Sequence, residues 1–413
     1  MPGRGSVNHT VMREMNTALV LNTLHRRAPV SRAGLAASTG LTKAAVSSMV
    51  RDLMAAGLVR ETASSAAAEI GRPAIDLEPN PDAGYIISAE IGVGFVSTRV
   101  VNFGLETVVQ RQALVPRRSQ PEAAMDIALG LLREVYALAQ RRGRPVFGLA
   151  VGVAGLVDER AGTLLFAPNL GWRDVPLYDL LRREFDVPLY ISNEANLAAL
   201  GESYFGPSGS SDFLLYISSG VGIGGGIVLN GALLTGPRGF TGEVGHMTVE
   251  RGGLPCACGS HGCWETVASQ QALFRRVQEK AASEPRSLIH TLTEGDLDAL
   301  TVPLVVQAAQ RGDAAALAAL EETGRWLGVG IASLINIICP QRVAFGGMLA
   351  LAHAFLLPVI REEVARRAFP HVRDSVEIAL ATHMADAAVM GGVALVHREV
   401  LNHPMRWLQP AES

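Results

Sequence analysis

The sequence predicts a mixed α/β protein of two parts, a small basic module of helices at the N-terminus and a larger body in which strands and helices alternate. Three observations support this prediction. The chain has 413 residues, too many for one hydrophobic core. Residues 1–75 carry a net charge of +5, whereas the rest of the chain carries −8. Two segments of the body share one pattern of strand, glycine turn and strand.

Composition excludes several classes of protein. With 48% apolar and 18% charged residues, the chain is globular rather than disordered. The first ten residues lack the apolar segment of an export signal, so we expect a cytoplasmic protein. An uncharged run between Asp212 and Arg238 is long enough to span a bilayer, but seven of its 25 residues are Gly. That composition favours strands and turns, so we do not expect a membrane protein.

Three helices are predicted in the basic module. The first covers residues 11–27 and has apolar residues at helical spacing, namely Val11, Met15, Leu19, Val20 and Leu24. Ser31 is an N-cap for a short second helix that ends at Gly40, and Thr42 is an N-cap for the third. Two short helices joined by one glycine-containing turn are typical of a helix-turn-helix.

The third helix is expected to have a buried face and a polar, basic face. The buried stripe is Val46, Met49, Val50 and Leu53. After this helix, strands are predicted over 58–62 and 73–79, with Gly71 and Arg72 between them. We therefore predict a winged helix-turn-helix over residues 1–80, whose third helix enters the major groove of DNA. The candidate DNA contacts are Arg32, Thr42, Lys43, Ser47, Arg51 and Arg72. The alternative is a solvated three-helix bundle with scattered arginines.

The body contains an internal repeat. Residues 85–102 and 213–230 both show strand, glycine turn and strand, at a constant offset of 128. The turns are residues 92–94 and 220–222. One interpretation is a duplicated α/β lobe whose turns face a shared cleft, as in actin-like sugar kinases that hold nucleotide phosphates on backbone N–H groups. The other is that both are ordinary tight turns.

Helices alternate with strands through the rest of the body, which indicates a mixed fold. We predict helices over 121–142 and over 314–337, the second of which is apolar nearly all round and therefore buried. The run 146–158 is predicted as a buried strand followed by a glycine turn. Cys339 is expected to be a buried thiol.

The strongest chemical signal lies in residues 242–265. His246, Cys256, Cys258 and Cys263 offer one nitrogen and three sulfur ligands, enough to close a tetrahedral structural Zn²⁺ site with no open position. His261 lies inside the same loop and is expected to be an exposed histidine. A loop held by zinc would also fix Glu243 and Glu265, which suits acceptance of hydrogen bonds from sugar hydroxyls. Each carboxylate alone could equally be a solvated surface group.

These residues resemble the ROK family (repressor, open reading frame, kinase). His246 with the CxCGxxGCxE spacing of residues 256–265 is similar to the family's zinc and sugar motif. Residues 31–59 followed by the GRPA of 71–74 are similar to its repressor branch, and to xylose-repressor-like members in particular. The resemblance implies sugar contacts around the turn at Gly155, with His246 serving both zinc and sugar. The implied sugar ligands are Asn169, Asn193, Glu194, Glu243, His246 and Glu265.

The resemblance also implies the architecture of the body. Residues 81–413 would form the two-lobed fold of actin-like or ribonuclease H-like sugar kinases. Lobe one would comprise residues 85–200 together with a C-terminal helix at 387–402. Lobe two would comprise residues 201–386, including the zinc loop.

The sequence departs from the kinases of the family at three places. Their catalytic Asp lies in Asn-Asp-x-Asn, where this chain has Asn193, Glu194, Ala195 and Asn196. Their Asp-x-Gly-Gly-Thr and Gly-Thr-Gly phosphate loops correspond here to residues 90–94 and 220–222, which lack the Thr hydroxyls and place Val93 where the backbone must approach closely. We therefore expect no use of ATP and no catalysis, with Glu194 at the position of the kinase base.

Together, these observations predict a sugar-responsive transcriptional regulator, a repressor of carbohydrate uptake or catabolic genes that a sugar effector releases from DNA. A homodimer, or a tetramer, would bind a palindromic operator. Two alternatives remain. One is an ATP-dependent sugar kinase with an attached DNA-binding module, and the other is a regulator that binds a phosphosugar or no sugar.

Overall fold

A computed structural model describes residues 9–62, 75–116, 120–206 and 213–408. The N-terminal module is a winged helix-turn-helix, as predicted. Its three-stranded antiparallel sheet has the order β1-β3-β2. Its elements are α1 (His9–Arg27), β1 (Val30–Ser31), α2 (Arg32–Thr39), α3 (Lys43–Ala55), β2 (Val59–Thr62) and β3 (Asp76–Pro79). The predicted wing residues Gly71 and Arg72 lie outside the described residues.

Local capping residues determine where the two short helices of the module begin and where α2 ends. The Ser31 hydroxyl accepts a hydrogen bond from the Gly34 N–H at 3.1 Å, and the Thr42 hydroxyl accepts one from the Ala45 N–H at 3.2 Å, so both predicted N-caps are confirmed. Gly40 ends α2 with φ +72°, a left-handed conformation that favours glycine. The predicted buried stripe of α3 is also confirmed, since Val46, Met49, Val50 and Leu53 are all buried.

The predicted apolar stripe of α1 is wrong in its first half. Val20 and Leu24 are buried, together with Thr17 and Leu21. Val11, Met15 and Leu19, by contrast, are 47%, 65% and 43% exposed. Among the described residues, the apolar side chains that are buried in α1 all lie at or after Thr17, so helical spacing alone could not identify which apolar residues are covered.

Lobe one is built on a five-stranded mixed sheet with the order β11-β7-β4-β5-β6. Its strands are β4 (Tyr85–Gly92), β5 (Phe95–Asn102), β6 (Thr107–Leu114), β7 (Val146–Val153) and β11 (Leu189–Asn193). The predicted helix over 121–142 is α4 (Pro121–Gln140), and α5 (Leu177–Arg182) precedes β11. A small antiparallel sheet follows β7 and consists of β8 (Leu156–Asp158), β9 (Thr163–Ala167) and β10 (Trp172–Val175).

Lobe two repeats this plan with a second five-stranded sheet, in the order β14-β13-β12-β15-β16. Its strands are β12 (Phe213–Ser219), β13 (Ile223–Leu229), β14 (Ala232–Leu233), β15 (Arg342–Gly346) and β16 (Glu377–Leu380). Since β4 with β5 and β12 with β13 are antiparallel pairs around the two glycine turns, the predicted repeat is confirmed. The helices outside this sheet are α7 (Trp264–Ala268), α8 (Gln270–Ser283), α9 (Leu288–Leu292), α10 (Val302–Gln310), α11 (Ala314–Ile338), α12 (His353–Arg367) and α13 (Pro370–Arg373).

Two expectations for lobe two need correction. The helix predicted over 314–337 forms, as α11, but it is not buried all round, since Leu317 and Ile337 belong to an exposed stripe along it. Cys339 is exposed rather than buried. It caps α11 with φ +45°, so the chain turns at the protein surface just before β15. Among the described helices, none is long and apolar enough to cross a bilayer.

Three further helices are α6 (Glu194–Phe205), α14 (Ala387–Asn402) and the short α15 (Met405–Leu408). The first two cross in close contact, and α14 also packs on β4 and β7. Glycines permit this approach, because a Cβ on Gly391 would lie 1.7 Å from the Leu197 carbonyl oxygen and one on Gly201 would lie 2.8 Å from the Gly391 nitrogen. Both helices therefore have little freedom to move apart.

The module does not stand apart from the body. One hydrophobic cluster includes Val20, Leu21 and Leu24 of α1, Phe103 and Phe147 of lobe one, and Val396 of α14. The Asn80 side chain closes the junction by donating a hydrogen bond to the Gly57 carbonyl oxygen at 2.7 Å. The N-terminal module thus shares its core with lobe one and α14.

Candidate functional site

A cleft of about 590 Å³ lies between the two sheets and is lined by both glycine turns. Its volume is within the ~300–1,000 Å³ range of small-molecule sites. The structure brings together at this cleft every residue that the resemblance implied for sugar binding. These residues are Asn169, Asn193, Glu194, Glu243, His246 and Glu265.

Asn193 fixes the geometry at the base of the cleft. It ends β11 and caps α6, where its Oδ1 accepts hydrogen bonds from the N–H groups of Ala195 and Asn196 at 2.8 and 3.2 Å. Its Nδ2 donates to the Gly155 carbonyl oxygen at 2.9 Å, which ties the turn after β7 to the start of α6. The second N–H of the Nδ2 amide group remains available to a ligand.

Two carboxyl groups face the cleft beside this cap, that of the buried Glu90 and that of the half-buried Glu194. Glu194 is the first residue of α6, and its Oε2 is buried without a hydrogen-bond partner among the described residues. Burial raises the pKa of Glu194 to about 8, with a further contribution from Glu90. Burial, with Asp386 adding to it, also raises the pKa of Glu90 to about 8. At neutral pH both groups are mostly protonated and can donate a hydrogen bond.

The predicted metal ligands also converge. The ligand atoms of His246, Cys256, Cys258 and Cys263 lie within 4.8 Å of one another. Tetrahedral Zn²⁺ with Zn–S of ~2.3 Å and Zn–N of ~2.0–2.1 Å places neighbouring ligand atoms ~3.5–3.8 Å apart. The Sγ atoms of Cys258 and Cys263 are 3.7 Å apart, and the Cys256 Sγ lies 3.6 Å from His246 Nδ1. These residues therefore fit a closed zinc site.

The arrangement of His246 allows two roles for one imidazole. Its Nδ1 faces the sulfur cluster, while its Nε2 lies 3.8 Å from Glu243 Oε2 on the side of the cleft. Glu265 Oε1 is 3.6 Å from Nδ1 and accepts a hydrogen bond from the Cys256 thiol at 2.9 Å. Burial raises the pKa of the Cys256 and Cys263 thiols, and a bound cation would oppose this effect by stabilising the thiolates.

The zinc loop is anchored to lobe two. Trp264 directly follows Cys263, is fully buried and donates its Nε1–H to the Trp326 carbonyl oxygen at 2.7 Å. Short antiparallel bridges join Thr248 to Cys263 and Pro255 to His261. His261 itself is exposed, as predicted.

The turn at residues 220–222 makes room for side chains that point into the cleft. A Cβ on Gly222 would lie 2.6 Å from Glu265 Oε2 and 2.9 Å from Asn169 Nδ2. A larger residue at this position would push both groups out of place. Glycine at position 222 therefore allows Glu265 and Asn169, two of the candidate sugar ligands, to keep their positions in the cleft.

Several further side chains line the cleft at positions that no sugar-binding motif identified. Glu90 and Ser97 come from β4 and β5, Tyr216 comes from β12, and Asp386 precedes α14. The signal for Glu90 was present in the sequence, because a charged residue inside a buried strand is rare unless it has a function. No local signal identified Asp386, whose position depends on how α14 crosses the sheet.

Four of the candidate DNA contacts lie on the module's exposed surface, Arg32 is partly exposed, and Arg72 lies outside the described residues. Thr42, Lys43, Ser47 and Arg51 are exposed along one face of α3, opposite its buried stripe. The Thr42 hydroxyl is also occupied by its cap, and Arg51 donates to the Ser48 hydroxyl at 3.2 Å. Arg32 forms an ion pair with Glu61 at 2.9 Å, so it is less available to a phosphate than the other candidates.

Comparisons with known proteins agree with this arrangement. The ROK family model matches residues 86–399, and the MarR family model matches residues 14–68. The xylose repressor of Caldicellulosiruptor bescii is 32% identical over 399 residues, which cover 96% of this chain and 99% of that protein.

Two solved structures are also similar. A ROK family transcriptional regulator, described as a homologue of the E. coli MLC protein, superposes with a TM-score of 0.83 at 26% identity, covering 97% of this chain and 100% of that chain. A ROK family glucokinase from Streptomyces griseus, in complex with glucose and AMPPNP, has a TM-score of 0.68 at 31% identity and covers 76% of this chain and 99% of that chain.

Proposed function

Because the chain belongs to the ROK family, we propose that it is a sugar-responsive DNA-binding repressor that binds its operator through the winged helix and releases it when a sugar occupies the cleft. One observation carries the proposal, namely that α6 and α14 both begin at the cleft and end against the DNA-binding module. The similarity to a xylose repressor over nearly the whole chain supports it. The regulated genes are then those of carbohydrate uptake or catabolism.

The sugar is held between the lobes by groups suited to hydroxyls. Carboxylate oxygens of Glu243 and Glu265 accept hydrogen bonds, and the free N–H of Asn193 donates one. The protonated Glu194 can donate as well, since its pKa is raised to about 8. His246 presents Nε2 to the ring while Nδ1 binds the structural Zn²⁺.

Lobe closure around the sugar reaches α6 directly. Glu202, on the second half of this helix and 3% exposed, accepts hydrogen bonds from the N–H and the hydroxyl of Thr382 at 2.7 and 3.1 Å. Thr382 follows β16 in lobe two, and Arg342 of β15 lies 3.4 Å from the same carboxylate. A rotation of lobe two relative to lobe one therefore moves, or strains, α6.

The far end of α6 contacts the module. The Tyr204 hydroxyl lies 2.8 Å from His397 Nδ1 on α14 and 3.4 Å from His25 Nε2 on α1. The end of α14 contacts α1 as well, because Asn22 donates to the Leu401 carbonyl oxygen at 3.1 Å. A 12-residue helix is ~18 Å long. A shift at the cleft is thus carried over this distance to the helix that supports the DNA-reading face.

The same site argues against catalysis as the function. The general base of a kinase must lie within hydrogen-bond reach of the attacked hydroxyl, in a strict geometry. Glu194 stands where the kinases of the family have Asp, and its extra methylene displaces the carboxylate by about an ångström. The turns at residues 92–94 and 220–222 also lack hydroxyl groups for nucleotide phosphates. We therefore propose a binding protein rather than an enzyme.

On DNA, we propose a homodimer on a palindromic operator, because two α3 helices must reach major-groove faces ~34 Å apart.

The test of the proposed function begins with selection of genomic fragments on the purified full-length protein, followed by sequencing. Affinity for the selected fragment is then measured with and without added sugars. We expect one fragment class with a palindrome near sugar genes and a loss of affinity on addition of one sugar.

A matched pair of variants links the binding to α3. Arg51→Ala removes a base or phosphate contact and should weaken operator binding ~5- to 150-fold. Arg141→Ala removes an exposed arginine at the end of α4 and should leave the affinity unchanged. Recovery of no specific fragment, or equal affinity of both variants and the parent protein, would overturn the proposed function.

A further inference from the structure

We propose that Arg238 and Asp158 form a latch between the two lobes, which holds the cleft closed and slows the release of a bound ligand. Neither side chain lines the cleft, so both act as positioning residues rather than as ligand contacts. The effect on a sugar rests on the proposed function, whereas the closure of the lobes can be measured without any ligand.

The two residues lie on segments that reach the cleft from opposite lobes. Asp158 ends β8 of lobe one, and residues 155–156 just before it line the cleft. Arg238 lies in the loop that follows β14 of lobe two, and residues 242–243 after this loop line the cleft as well. A contact between Arg238 and Asp158 therefore joins the two walls of the cleft.

The carboxylate of Asp158 is oriented to receive the guanidinium. Arg238 donates from Nη2 and Nε to Asp158 Oδ2, at 2.7 and 3.1 Å. Asp158 Oδ1 accepts hydrogen bonds from the N–H groups of Arg160 and Ala161, both at 3.2 Å, so the turn of lobe one fixes the carboxylate. The hydrogen bonds from Arg238 and Ala161 hold the pKa of Asp158 below its ordinary value. The acceptor is therefore charged at neutral pH, and its side chain is only 11% exposed.

The loop of lobe two is shaped for this contact. The guanidinium of Arg238 lies over the ring of Phe240, 4.9 Å from its centroid, which restricts where the charge can lie. Gly239 has a φ of +92°, a conformation that favours glycine. A Cβ on Gly239 would lie 2.9 Å from Cγ of Glu159, so the backbone of the loop packs directly against lobe one.

The latch lies at the edge of the lobe-one sheet that is formed by β11. Glu159, next to Asp158, accepts a hydrogen bond from the Ser192 hydroxyl on β11 at 2.5 Å. Near the other edge, Arg99 on β5 pairs with Asp386 at 2.5 Å. Asp386 directly precedes α14, where the chain passes from lobe two to lobe one, so this pair stays close to the crossing. A rotation of the lobes about this crossing therefore displaces the latch more than it displaces the pair of Arg99 and Asp386.

The latch favours the closed form of the cleft, from which a ligand leaves only after the lobes separate. Its loss should shift the population towards the open form, weaken sugar binding and speed sugar release. The side chain of Arg238 is 58% exposed, so solvent reduces the strength of the ion pair. We expect an effect of ~3- to 5-fold, at the upper end for exposed ion pairs. Release of the operator should require more sugar by the same factor.

The first test uses a thiol inside the cleft and no ligand. Ser97 lines the cleft and is 8% exposed, so Ser97→Cys provides a thiol that N-ethylmaleimide reaches mainly when the lobes open. Peptide mass spectrometry separates its labelling from that of the exposed Cys339, which is the internal reference. In this background, Arg238→Met should speed the labelling of residue 97 ~3- to 5-fold and leave that of Cys339 unchanged.

Matched variants separate the latch from a general loss of charge. Arg133 donates two hydrogen bonds to Glu184 within lobe one, at 2.8 and 3.0 Å, so Arg133→Met removes an ion pair that does not cross the cleft and should leave the labelling unchanged. Arg238→Lys keeps the positive charge and should stay within about twofold of the parent protein. Asp158→Asn keeps the Oδ1 acceptor of the turn, and adding it to Arg238→Met should bring no further increase, because one interaction is already lost.

The second test measures the effect on a ligand. D-xylose and D-glucose are titrated by calorimetry into the full-length parent protein and into Arg238→Met. The affinity for any sugar that binds should fall ~3- to 5-fold in the variant. In about 1 M NaCl, which screens exposed charges, the difference between variant and parent should shrink.

The two tests give separate answers. Equal labelling of residue 97 with and without Arg238→Met, or an equal increase with Arg133→Met, overturns the latch. Faster labelling with unchanged sugar affinity overturns its role in retaining the ligand. If neither sugar binds the parent protein, faster labelling still supports the latch, and the failure to bind counts against the proposed function alone.

Discussion

Tyr204→Phe should weaken the communication between the cleft and the DNA-binding module while leaving both binding surfaces intact. The substitution removes one hydroxyl group, which joins α6 to His397 at 2.8 Å and to His25 at 3.4 Å. The aromatic ring, and with it the packing against Phe205, is retained. None of these residues lines the cleft or belongs to the exposed face of α3.

The size of the expected loss of stability follows from the burial of His397, the hydrogen-bond partner of the Tyr204 hydroxyl. His397 is fully buried, and burial lowers its pKa to about 3, so the ring is neutral. Removing a partner from a buried polar group costs ~1–3 kcal/mol, and the free energy of unfolding should fall by about this amount. Loss of ~1 kcal/mol of coupling between two sites reduces the change in operator affinity on sugar addition ~5-fold.

The assay is fluorescence anisotropy of a labelled operator fragment, titrated with protein in the absence and presence of saturating sugar. Sugar affinity is measured separately by calorimetry and should be within twofold of the parent protein when the operator is absent. Tyr178→Phe, at a tyrosine that is 41% exposed on α5, is the control and should behave as the parent. If Tyr204→Phe lowers stability but keeps the full sugar-dependent change in operator affinity, the route through α6 is refuted.

Three further predictions concern the metal, a buried carboxyl group and the helix crossing. Cys258→Ser should reduce zinc content from one ion per chain towards zero in elemental analysis and lower the melting temperature, because a closed site loses one of its four ligands. Cys339→Ser, at an exposed thiol outside the cluster, should keep the zinc, and equal loss in both variants would contradict the assignment. The pKa of Glu194 is raised from 4.5 to about 8, so the folded state keeps a proton that the unfolded state releases, and stability should fall as pH rises from 4.5 to 8. Glu194→Gln should make this decline shallower in urea unfolding measured at several pH values and leave the part that is due to Glu90, and an unchanged slope would place the titration elsewhere. Gly391→Ala should cost ~3 kcal/mol or more in the same assay, because its Cβ would collide with the α6 backbone. The control is Gly130→Ala on the exposed side of α4, where the added Cβ meets nothing within 4 Å and should stabilise the protein by up to ~1 kcal/mol. If both substitutions lower the free energy of unfolding, the collision at Gly391 is not the cause.

Local chemistry explains what could be predicted from the sequence. The caps at Ser31 and Thr42, the buried stripe of α3 and the paired strands around each glycine turn depend on neighbours within a few residues. The metal cluster needed only its spacing and one distant histidine. The convergence of the candidate sugar ligands was expected through family resemblance, since Asn169 and Glu265 are far apart in the chain.

What could not be predicted depends on how elements pack. The first half of α1 carries Val11 and Met15 at helical spacing, yet no described element covers them. Cys339 follows an apolar helix but lies at its exposed end. Asp386 enters the cleft because glycines allow α14 to cross α6 closely, which no sequence pattern near residue 386 reveals.

The hydrophobic cluster that joins α1 to lobe one and α14 has a consequence for how the chain can be divided. Val20, Leu21 and Leu24 are completely buried in part by residues more than 70 positions further along the sequence, such as Phe103 and Val396. A fragment that ends near residue 80 would expose this surface to water, at ~25 cal/mol for each Å² of apolar area. The N-terminal module and the body therefore fold as one cooperative unit. Transplanting the DNA-binding module onto another sensor would require a replacement for the helix on which it rests.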